Sequence, residues 1–208
     1  MRFDKAGSNM KRGVFFDLGR VLLDFDLMPF FDAIARQTGS DVAAVRTSLS
    51  AARWFDRYER GEFDDDGFFI GLRRITGYAG DEQEIRRLWT EIFIPIEKNI
   101  ALMHELRLRY PIGLISNTSP LHISHIERRF DLLAHIPVRV LSYEVGLMKP
   151  DRRIFEQAVE KLGVHAEGSV FIDDLEVNLS GAKELGMHVI HYLPDVDLKR
   201  ELAALGFH

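Results

Sequence analysis

The chain lacks cysteine, long apolar runs and an excess of basic residues. None of its 208 residues is cysteine, which excludes disulfides, thiolate metal ligands and a cysteine nucleophile. No apolar run approaches the ~20 residues that a membrane-spanning helix needs. The formal net charge of −5 gives no basis for binding nucleic acid or an anionic membrane surface. We therefore expect a cytoplasmic protein that binds neither, and the sequence leaves its oligomeric state open.

What the sequence does contain is a series of short apolar segments typical of a buried parallel sheet. They are apolar on both faces rather than alternating, as strands covered on both sides by helices are. The predicted strands cover residues 13–17, 112–116, 137–142, 169–173 and 188–192. Helical patterns lie between the later strands, at about residues 97–110, 120–130, 151–162 and 176–185. This alternation predicts a doubly wound, Rossmann-like α/β fold.

The stretch from residue 24 to residue 96 interrupts the alternation. It has no convincing strand pattern and instead contains helical segments at about 27–38, 41–60, 64–76 and 81–93. A crossover between parallel strands needs only about a dozen residues, so the surplus predicts an inserted helical subdomain. The chain then divides into an α/β core of residues 13–23 and 97–208, a helical insert of residues 24–96 and a flexible N-terminal lead-in of residues 1–12.

Polar side chains follow the predicted strands at their carboxyl ends. Asp17 closes the first strand, Asp173 and Asp174 close the fourth, and Lys149 lies in the loop after the third. Ligands of open α/β sheets bind beyond these strand ends, so we expect the groups to meet in one crevice. Three carboxylates packed together repel one another. A divalent cation relieves that repulsion, and oxygen ligands without histidine or cysteine favour Mg²⁺.

The remaining polar groups at these strand ends suit a phosphate. Ser116 ends the second strand and is followed by Asn117 and a predicted helix, so its hydroxyl and nearby backbone N–H groups can hold phosphoryl oxygens. Lys149 adds positive charge where negative charge develops in the transition state. With metal and phosphate held, Asp17 is free to act as a nucleophile and to form an aspartyl-phosphate that water then hydrolyses.

Four segments in chain order resemble the four motifs of the haloacid dehalogenase superfamily. They are VFFDLGRVLLDFD, LISNTS, GLMKPDRRIF and VFIDDLEVN. The resemblance covers almost the whole chain and implies that the helical insert is a cap over the crevice. It also implies that Mg²⁺ is bound by Asp17, by the backbone carbonyl of Gly19 and by Asp173. Asp174 would assist through the water shell of the metal.

Gly19 departs from the common first motif of this superfamily. Its phosphatases usually have a second aspartate there, which gives a proton to the leaving group and later takes one from water. Metal ligation by a main-chain oxygen survives the change, but a positioned acid or base contributes ~10²–10⁴-fold in rate. A branch of sugar-phosphate phosphatases reads Asp-Leu-Gly-Asn-Val at this motif, and the Glu-Arg-Gly-Glu stretch at residues 59–62 is similar to that branch too. Arg20 stands where that branch has asparagine.

Three interpretations stay open. The first is a Mg²⁺-dependent phosphatase of a small phosphorylated metabolite, with a sugar phosphate favoured. A sugar 1-phosphate needs less help from an acid than an alkyl phosphate does, because its leaving group is better. The second is a metal-independent 2-haloacid dehalogenase, which would leave the acidic pair at residues 173–174 unused. The third is a non-catalytic phosphate-binding module. The intact set of acids, hydroxyl and lysine favours the first.

Several side chains have two possible roles in the sequence. His122 is a candidate replacement acid, but we expect both it and His125 to be exposed helix residues. For Arg20, solvent exposure and substrate contact are equally compatible with the sequence. In the insert, one residue of Arg57-Tyr58-Glu59 could face the crevice and select the substrate, and the pattern does not choose among them.

Overall fold

The five predicted strands form one parallel sheet in the computed structural model, which describes residues 11–208. In chain order the strands are β1 (Val14–Phe16), β2 (Leu23–Phe25), β3 (Phe93–Pro95), β4 (Ile112–Ser116), β5 (Val138–Leu141), β6 (Val170–Asp173) and β7 (His188–His191). The parallel sheet has the order β5-β4-β1-β6-β7. Its central strand pairs Phe16 with Leu114 of β4 and with Ile172 of β6.

The helices of the described chain lie both within and outside the long insert. They are α1 (Met28–Thr38), α2 (Val42–Ala51), α3 (Trp54–Glu59), α4 (Asp65–Thr76), α5 (Glu82–Thr90), α6 (Glu97–Leu106), α7 (Pro120–Arg129), α8 (Ser142–Val145), α9 (Arg152–Leu162), α10 (Leu179–Glu184) and α11 (Leu198–Ala204). Asp151 begins α9 as the sequence predicts, because its carboxylate accepts a hydrogen bond from the N–H of Arg153. None of these helices is long and apolar enough to cross a membrane.

The sheet buries apolar side chains on both of its faces. Val14 and Phe16 pack on the side of α6, α7 and α11. Phe15 points to the other side, where it packs with residues of α9 and α10. All three side chains are fully buried, because successive residues of a strand face opposite sides. This arrangement confirms the predicted doubly wound α/β fold and explains why its strands show no polar alternation.

The insert has a separate aromatic core. Helices α1 to α5 bury their apolar faces against one another, around side chains that include Trp54, Phe68 and Trp89. Trp54 donates its Nε1–H to the carbonyl of Phe68 at 3.2 Å, and the ring of Phe68 lies 4.8 Å from that of Trp89. Buried aromatic residues contribute large apolar area, so the insert stabilises itself rather than depending only on the sheet.

Two short strands that the sequence did not predict close the base of the insert. β2 and β3 pair antiparallel, with Leu23 opposite Pro95 and Phe25 opposite Phe93. Asn99 adds to this closure, because its buried side-chain amide donates to the carbonyl of Val21 at 2.7 Å. The expectation that the insert contains no strand was therefore wrong. Three residues are too few to display the period that identifies a strand.

Other differences from the predicted elements concern helix boundaries. The predicted helix at residues 41–60 is two helices, α2 and α3, because the backbone of Arg53 takes a left-handed conformation with φ 47°. The segment at 176–185 begins with a 3-10 turn at Glu176–Asn178 before α10. The short α8 and the C-terminal α11 were not predicted, and both are brief segments with few periodic positions.

The N-terminal segment is described only from residue 11. Residues 1–10 of the predicted lead-in lie outside the described residues. Of the remaining two, Lys11 accepts a hydrogen bond from the N–H of His165 at 2.9 Å. The guanidinium of Arg12 lies 4.4 Å from the ring centroid of Phe207 and donates to the carbonyl of Leu205. These two residues are therefore tied to the α/β core.

Candidate active site

A buried lysine joins two of the predicted acids at the carboxyl edge of the sheet. The Nζ atom of Lys149 lies 2.7 Å from Oδ1 of Asp17 and 2.6 Å from Oδ2 of Asp173. Asp17 follows the central strand, and its N–H donates to the carbonyl of Ile172 on β6 at 2.8 Å. Side chains that the sequence separates widely are thus brought together by the pairing of adjacent parallel strands.

Asp174 completes a cluster of three carboxylates. One oxygen of each of Asp17, Asp173 and Asp174 lies within 4.8 Å of the others. Lys149 offsets one of the three negative charges, so the cluster retains an excess that a divalent cation would neutralise. The donor set is all oxygen, which fits Mg²⁺. The residues present therefore suit the metal that the sequence suggests.

Asp173 is held by donors from its own loop. The N–H of Leu175 donates to Asp173 Oδ1 at 2.8 Å. The side-chain amide of Asn178 donates to both carboxylate oxygens, at 3.0 and 3.2 Å. Asn178 therefore supports the acidic cluster, and is not an ordinary helix position. Such hydrogen bonds fix the orientation of a carboxylate near a prospective metal.

The loop that carries Lys149 is fixed by Asn117. The Asn117 amide accepts a hydrogen bond from the N–H of Lys149 at 2.8 Å and donates to the carbonyl of the same residue at 3.1 Å. The peptide bond that follows, Lys149-Pro150, is cis. The Asn117 side chain is thus engaged with this loop, while Ser116 is buried at the end of β4, next to the central strand.

Burial and nearby charges act in opposite directions on these groups. Burial raises the pKa of Asp17 above its ordinary range, Lys149 opposes that rise, and Asp173 reinforces it. Burial by itself would lower the pKa of Lys149, but the two carboxylates outweigh burial and raise it. Burial also raises the pKa of Asp174, with Asp173 adding to the rise. Lys149 is therefore cationic, and the acidic cluster favours a further positive charge.

Gly19 lies beside the aromatic ring of Phe25. A Cβ atom at this position would lie 3.0 Å from Cε1 of Phe25. Arg20 is exposed, has a left-handed backbone with φ 58° and stacks on the ring of Phe25 at 4.4 Å. Its guanidinium also pairs with Asp24. Arg20 therefore lies on the solvent side in this structure, which favours the first of its two expected roles.

His122 does not have the exposure expected from the sequence. Its side chain is buried, and its ring stacks on Trp89 with centroids 4.5 Å apart. Its Nε2 lies 2.9 Å from the carbonyl oxygen of Trp89. Burial lowers the pKa of His122 to about 4, so the ring is neutral near neutral pH. His122 joins the insert to the core, and the expectation of an exposed histidine was wrong.

His125 is half-buried, so its expected exposure was wrong as well. It lies one helical turn after His122 on α7. Burial lowers its pKa, so it too favours the neutral form.

Arg57, Tyr58 and Glu59, among which the sequence did not choose, have different surroundings in the structure. Tyr58 is buried and donates its hydroxyl to Asp65 at 2.5 Å. Arg57 is exposed and its Nε lies 2.7 Å from Glu62. Glu59 is the last residue of α3, and its carbonyl lies 2.5 Å from the Ser142 hydroxyl at the carboxyl edge of the sheet. The charges of Asp17 and Lys149 both act on the pKa of its carboxyl group.

Ser142 is a contact residue that the sequence analysis missed. It is fully buried at the start of α8, directly after β5. Its hydroxyl accepts from the N–H of Thr118 at 3.0 Å and lies 2.5 Å from the carbonyl of Glu59. A polar residue at the end of a predicted strand was the available signal. Its partner in the insert could not be identified without the fold.

Comparison with known proteins gives a consistent family assignment. The family model for haloacid dehalogenase-like hydrolases matches residues 11–186. D-ribitol-5-phosphate phosphatase of Bacteroides thetaiotaomicron is 24% identical over 203 residues, covering 94% of this chain and 98% of that protein. A pyrimidine 5'-nucleotidase of Escherichia coli is 27% identical over 193 residues, covering 84% of this chain and 82% of that protein.

The fold also matches solved structures. A haloacid dehalogenase family enzyme of Bacteroides thetaiotaomicron superimposes with a TM-score of 0.83 at 23% identity, over 93% of this chain and 98% of that one. The magnesium complex of the same enzyme superimposes with a TM-score of 0.80 at 23% identity, over 92% of this chain and 98% of that one. At this level of identity the likeness concerns the fold.

Proposed function

The chain belongs to the haloacid dehalogenase-like hydrolases, and on this premise we propose that it is a Mg²⁺-dependent phosphatase that hydrolyses a small phosphomonoester. One observation carries the proposal. The carboxylates of Asp17, Asp173 and Asp174 lie within 4.8 Å of one another, and Lys149 bridges two of them. Three carboxylates that could hold a metal thus lie beside a cation that could offset the charge of a phosphate.

The proposed metal site uses the acidic cluster. Asp17, Asp173 and the backbone carbonyl of Gly19 would hold Mg²⁺, and Asp174 would assist through bound water. When bound, the ion would supply charge that offsets the phosphate oxygens. Two findings support this assignment: the all-oxygen donor set with its excess of negative charge, and the magnesium complex known for a protein of the same fold.

In the proposed reaction Asp17 acts as the nucleophile. A carboxylate oxygen of Asp17 attacks phosphorus, the bond to the leaving oxygen breaks, and an aspartyl-phosphate results. Water then attacks that phosphorus and releases inorganic phosphate and the Asp17 carboxylate. Lys149 keeps Asp17 oriented and offsets charge on the phosphoryl group, and the Ser116 hydroxyl and the backbone near Asn117 would hold phosphoryl oxygens.

The proposed substrate is a small phosphorylated metabolite, with a sugar or sugar-alcohol phosphate favoured. The D-ribitol-5-phosphate phosphatase similar to this chain supports that choice. We also propose that residues 24–96 act as a cap on a core formed by residues 13–23 and 97–208. Closure of such a cap excludes water and large substrates. The cytoplasmic location expected from the sequence stays a prediction.

The two alternative functions have less support. A metal-independent dehalogenase has no use for a cluster of three carboxylates that calls for a cation. A binding module has no use for a nucleophile positioned by a buried lysine at 2.7 Å. Each would leave part of this concentrated and costly charge unused.

Phosphate release from a panel of phosphorylated metabolites tests the proposal. The panel is measured with Mg²⁺ and with EDTA for the wild type, for Asp17→Asn and for Asp32→Asn. Asp32 is an exposed aspartate of α1 and serves as the matched control. We expect release that needs Mg²⁺, disappears in Asp17→Asn and persists in Asp32→Asn. Release that is equal in EDTA, or that survives in Asp17→Asn, contradicts the proposal.

A further inference from the structure

The crevice needs a proton carrier that Gly19 cannot provide. An alkoxide leaving group must gain a proton, and Gly19 has no side chain that could carry one. His122 is not a substitute. Its Nε2 is engaged with the carbonyl of Trp89, and its ring is packed between Trp89 and Phe93.

Glu59 is an acidic residue of the insert whose backbone contacts the core at the carboxyl edge of the sheet. It is the last residue of α3, and it is half-buried. The charge of Asp17 raises the pKa of that carboxyl group, and the charge of Lys149 lowers it. Within residues 11–208 the structure shows no hydrogen bond or ion pair to its carboxylate oxygens, in contrast to the neighbouring Arg57 and Tyr58.

The backbone of Glu59 is connected through Ser142 to the loop that follows Ser116. Its carbonyl oxygen lies 2.5 Å from the Ser142 hydroxyl, and that hydroxyl accepts from the N–H of Thr118 at 3.0 Å. Gly61, two residues after Glu59, also packs closely against the core. A Cβ atom on Gly61 would lie 2.5 Å from the carbonyl oxygen of Tyr143, so a larger residue would not fit there. The end of α3 is therefore held in place against the core.

Resting on the proposed phosphatase function, we propose that Glu59 is the acid and base of the reaction, delivered by the cap in place of a side chain at position 19. As the carboxylate of Asp17 bonds to phosphorus, the bond from phosphorus to the leaving oxygen breaks with its electron pair on oxygen. The carboxyl proton of Glu59 passes to that oxygen and an alcohol departs. The resulting Glu59 carboxylate takes a proton from the water that hydrolyses the aspartyl-phosphate, which restores both groups.

The protonation of Glu59 is compatible with this role. Burial raises its pKa to about 7, Asp56 and Asp17 reinforce the rise, and Lys149 opposes it. A group that titrates near neutral pH exists in both forms there, which is the requirement for an acid that later acts as a base.

The dependence of the rate on the leaving group tests the proposal. We compare kcat/KM for p-nitrophenyl phosphate, whose phenolate departs without a proton, with kcat/KM for the best alkyl phosphate of the panel. For Glu59→Gln we expect a loss of ~10²–10⁴-fold on the alkyl phosphate and little change on p-nitrophenyl phosphate. Glu62→Gln is the matched control, since Glu62 is an exposed acid of the same stretch, and it should leave both values unchanged.

The possible results separate this role from a structural one. Equal losses on both substrates, or no loss on the alkyl phosphate, would refute the role of Glu59. Glu59→Asp keeps the carboxyl group and should recover part of the rate on the alkyl phosphate only. A wild type that hydrolyses neither substrate contradicts the proposed function itself, and the role of Glu59 with it.

Discussion

Replacing Lys149 with methionine should destabilise the protein in the absence of metal. Lys149 is buried and contacts two buried carboxylates at 2.7 and 2.6 Å. Methionine conserves most of the volume, so the main loss is the charge. Removing one partner of a buried ion pair costs about 3–5 kcal/mol. A chain of this size changes its Tm by about 2–4 °C per kcal/mol, so we expect a decrease of about 6–20 °C.

The assay is thermal unfolding in EDTA and in Mg²⁺. Mg²⁺ should raise the Tm of Lys149→Met more than that of the wild type, because the variant leaves two carboxylates without a compensating charge. Lys183→Met is the control, since Lys183 is exposed, and its Tm should match the wild type. An exposed ion pair contributes less than about 1 kcal/mol. If the free energy of unfolding of Lys149→Met in EDTA is lower than that of the wild type by less than this amount, the conclusion that Lys149 stabilises these acids is refuted.

The pH dependence of this variant has a defined sign. Burial raises the pKa of Asp17, and Lys149 opposes that rise. The pKa of Asp17 in the folded protein is about 7 with Lys149 present, and removing Lys149 raises it further above that of the unfolded chain. The destabilisation should be greatest at high pH and should diminish as pH falls through the raised pKa of the folded state. A loss of stability in Lys149→Met that does not vary with pH would indicate a packing defect.

The remaining predictions concern the insert and its contact with the core. Burial lowers the pKa of His122 to about 4 in the folded protein. As the pH falls below the ordinary pKa of histidine, the unfolded chain therefore binds a proton on His122 before the folded protein does. This effect should remove about 2 kcal/mol of stability between about pH 7 and pH 5, and urea unfolding should show that His122→Phe lacks this component. Gly71→Ala would place a Cβ atom 2.0 Å from Cζ2 of Trp54. Overpacking of this kind costs about 1–3 kcal/mol, and an unchanged urea midpoint would contradict the packing described.

The core was predictable from the sequence because its strands are buried on both faces. Val14, Phe15 and Phe16 are all apolar for that reason, and a residue such as Asp17 is conspicuous at the end of such a strand. The short strands β2 and β3 were not predictable. Each has three residues, and each is defined by pairing with a segment that lies at the other end of the insert.

The site was predictable in its charged groups and less so in its supporting contacts. Acids at strand ends must converge once the strands are parallel neighbours. The burial of His122 and the bridge formed by Ser142 depend on how the insert rests on the core, and no local pattern encodes that placement. The same holds for Glu59, which local spacing cannot distinguish from Arg57 or Tyr58.

The most direct test of the account is to find where the phosphoryl group goes. The enzyme is mixed with its best substrate and Mg²⁺, quenched in acid within the first turnover, digested and analysed by peptide mass spectrometry. We expect a phosphoryl group on Asp17 in the wild type. Phosphate released within that turnover without any phosphorylated Asp17 peptide, in samples where the unmodified peptide is recovered, would mean that water attacks the substrate directly. That result would contradict the proposed role of Asp17.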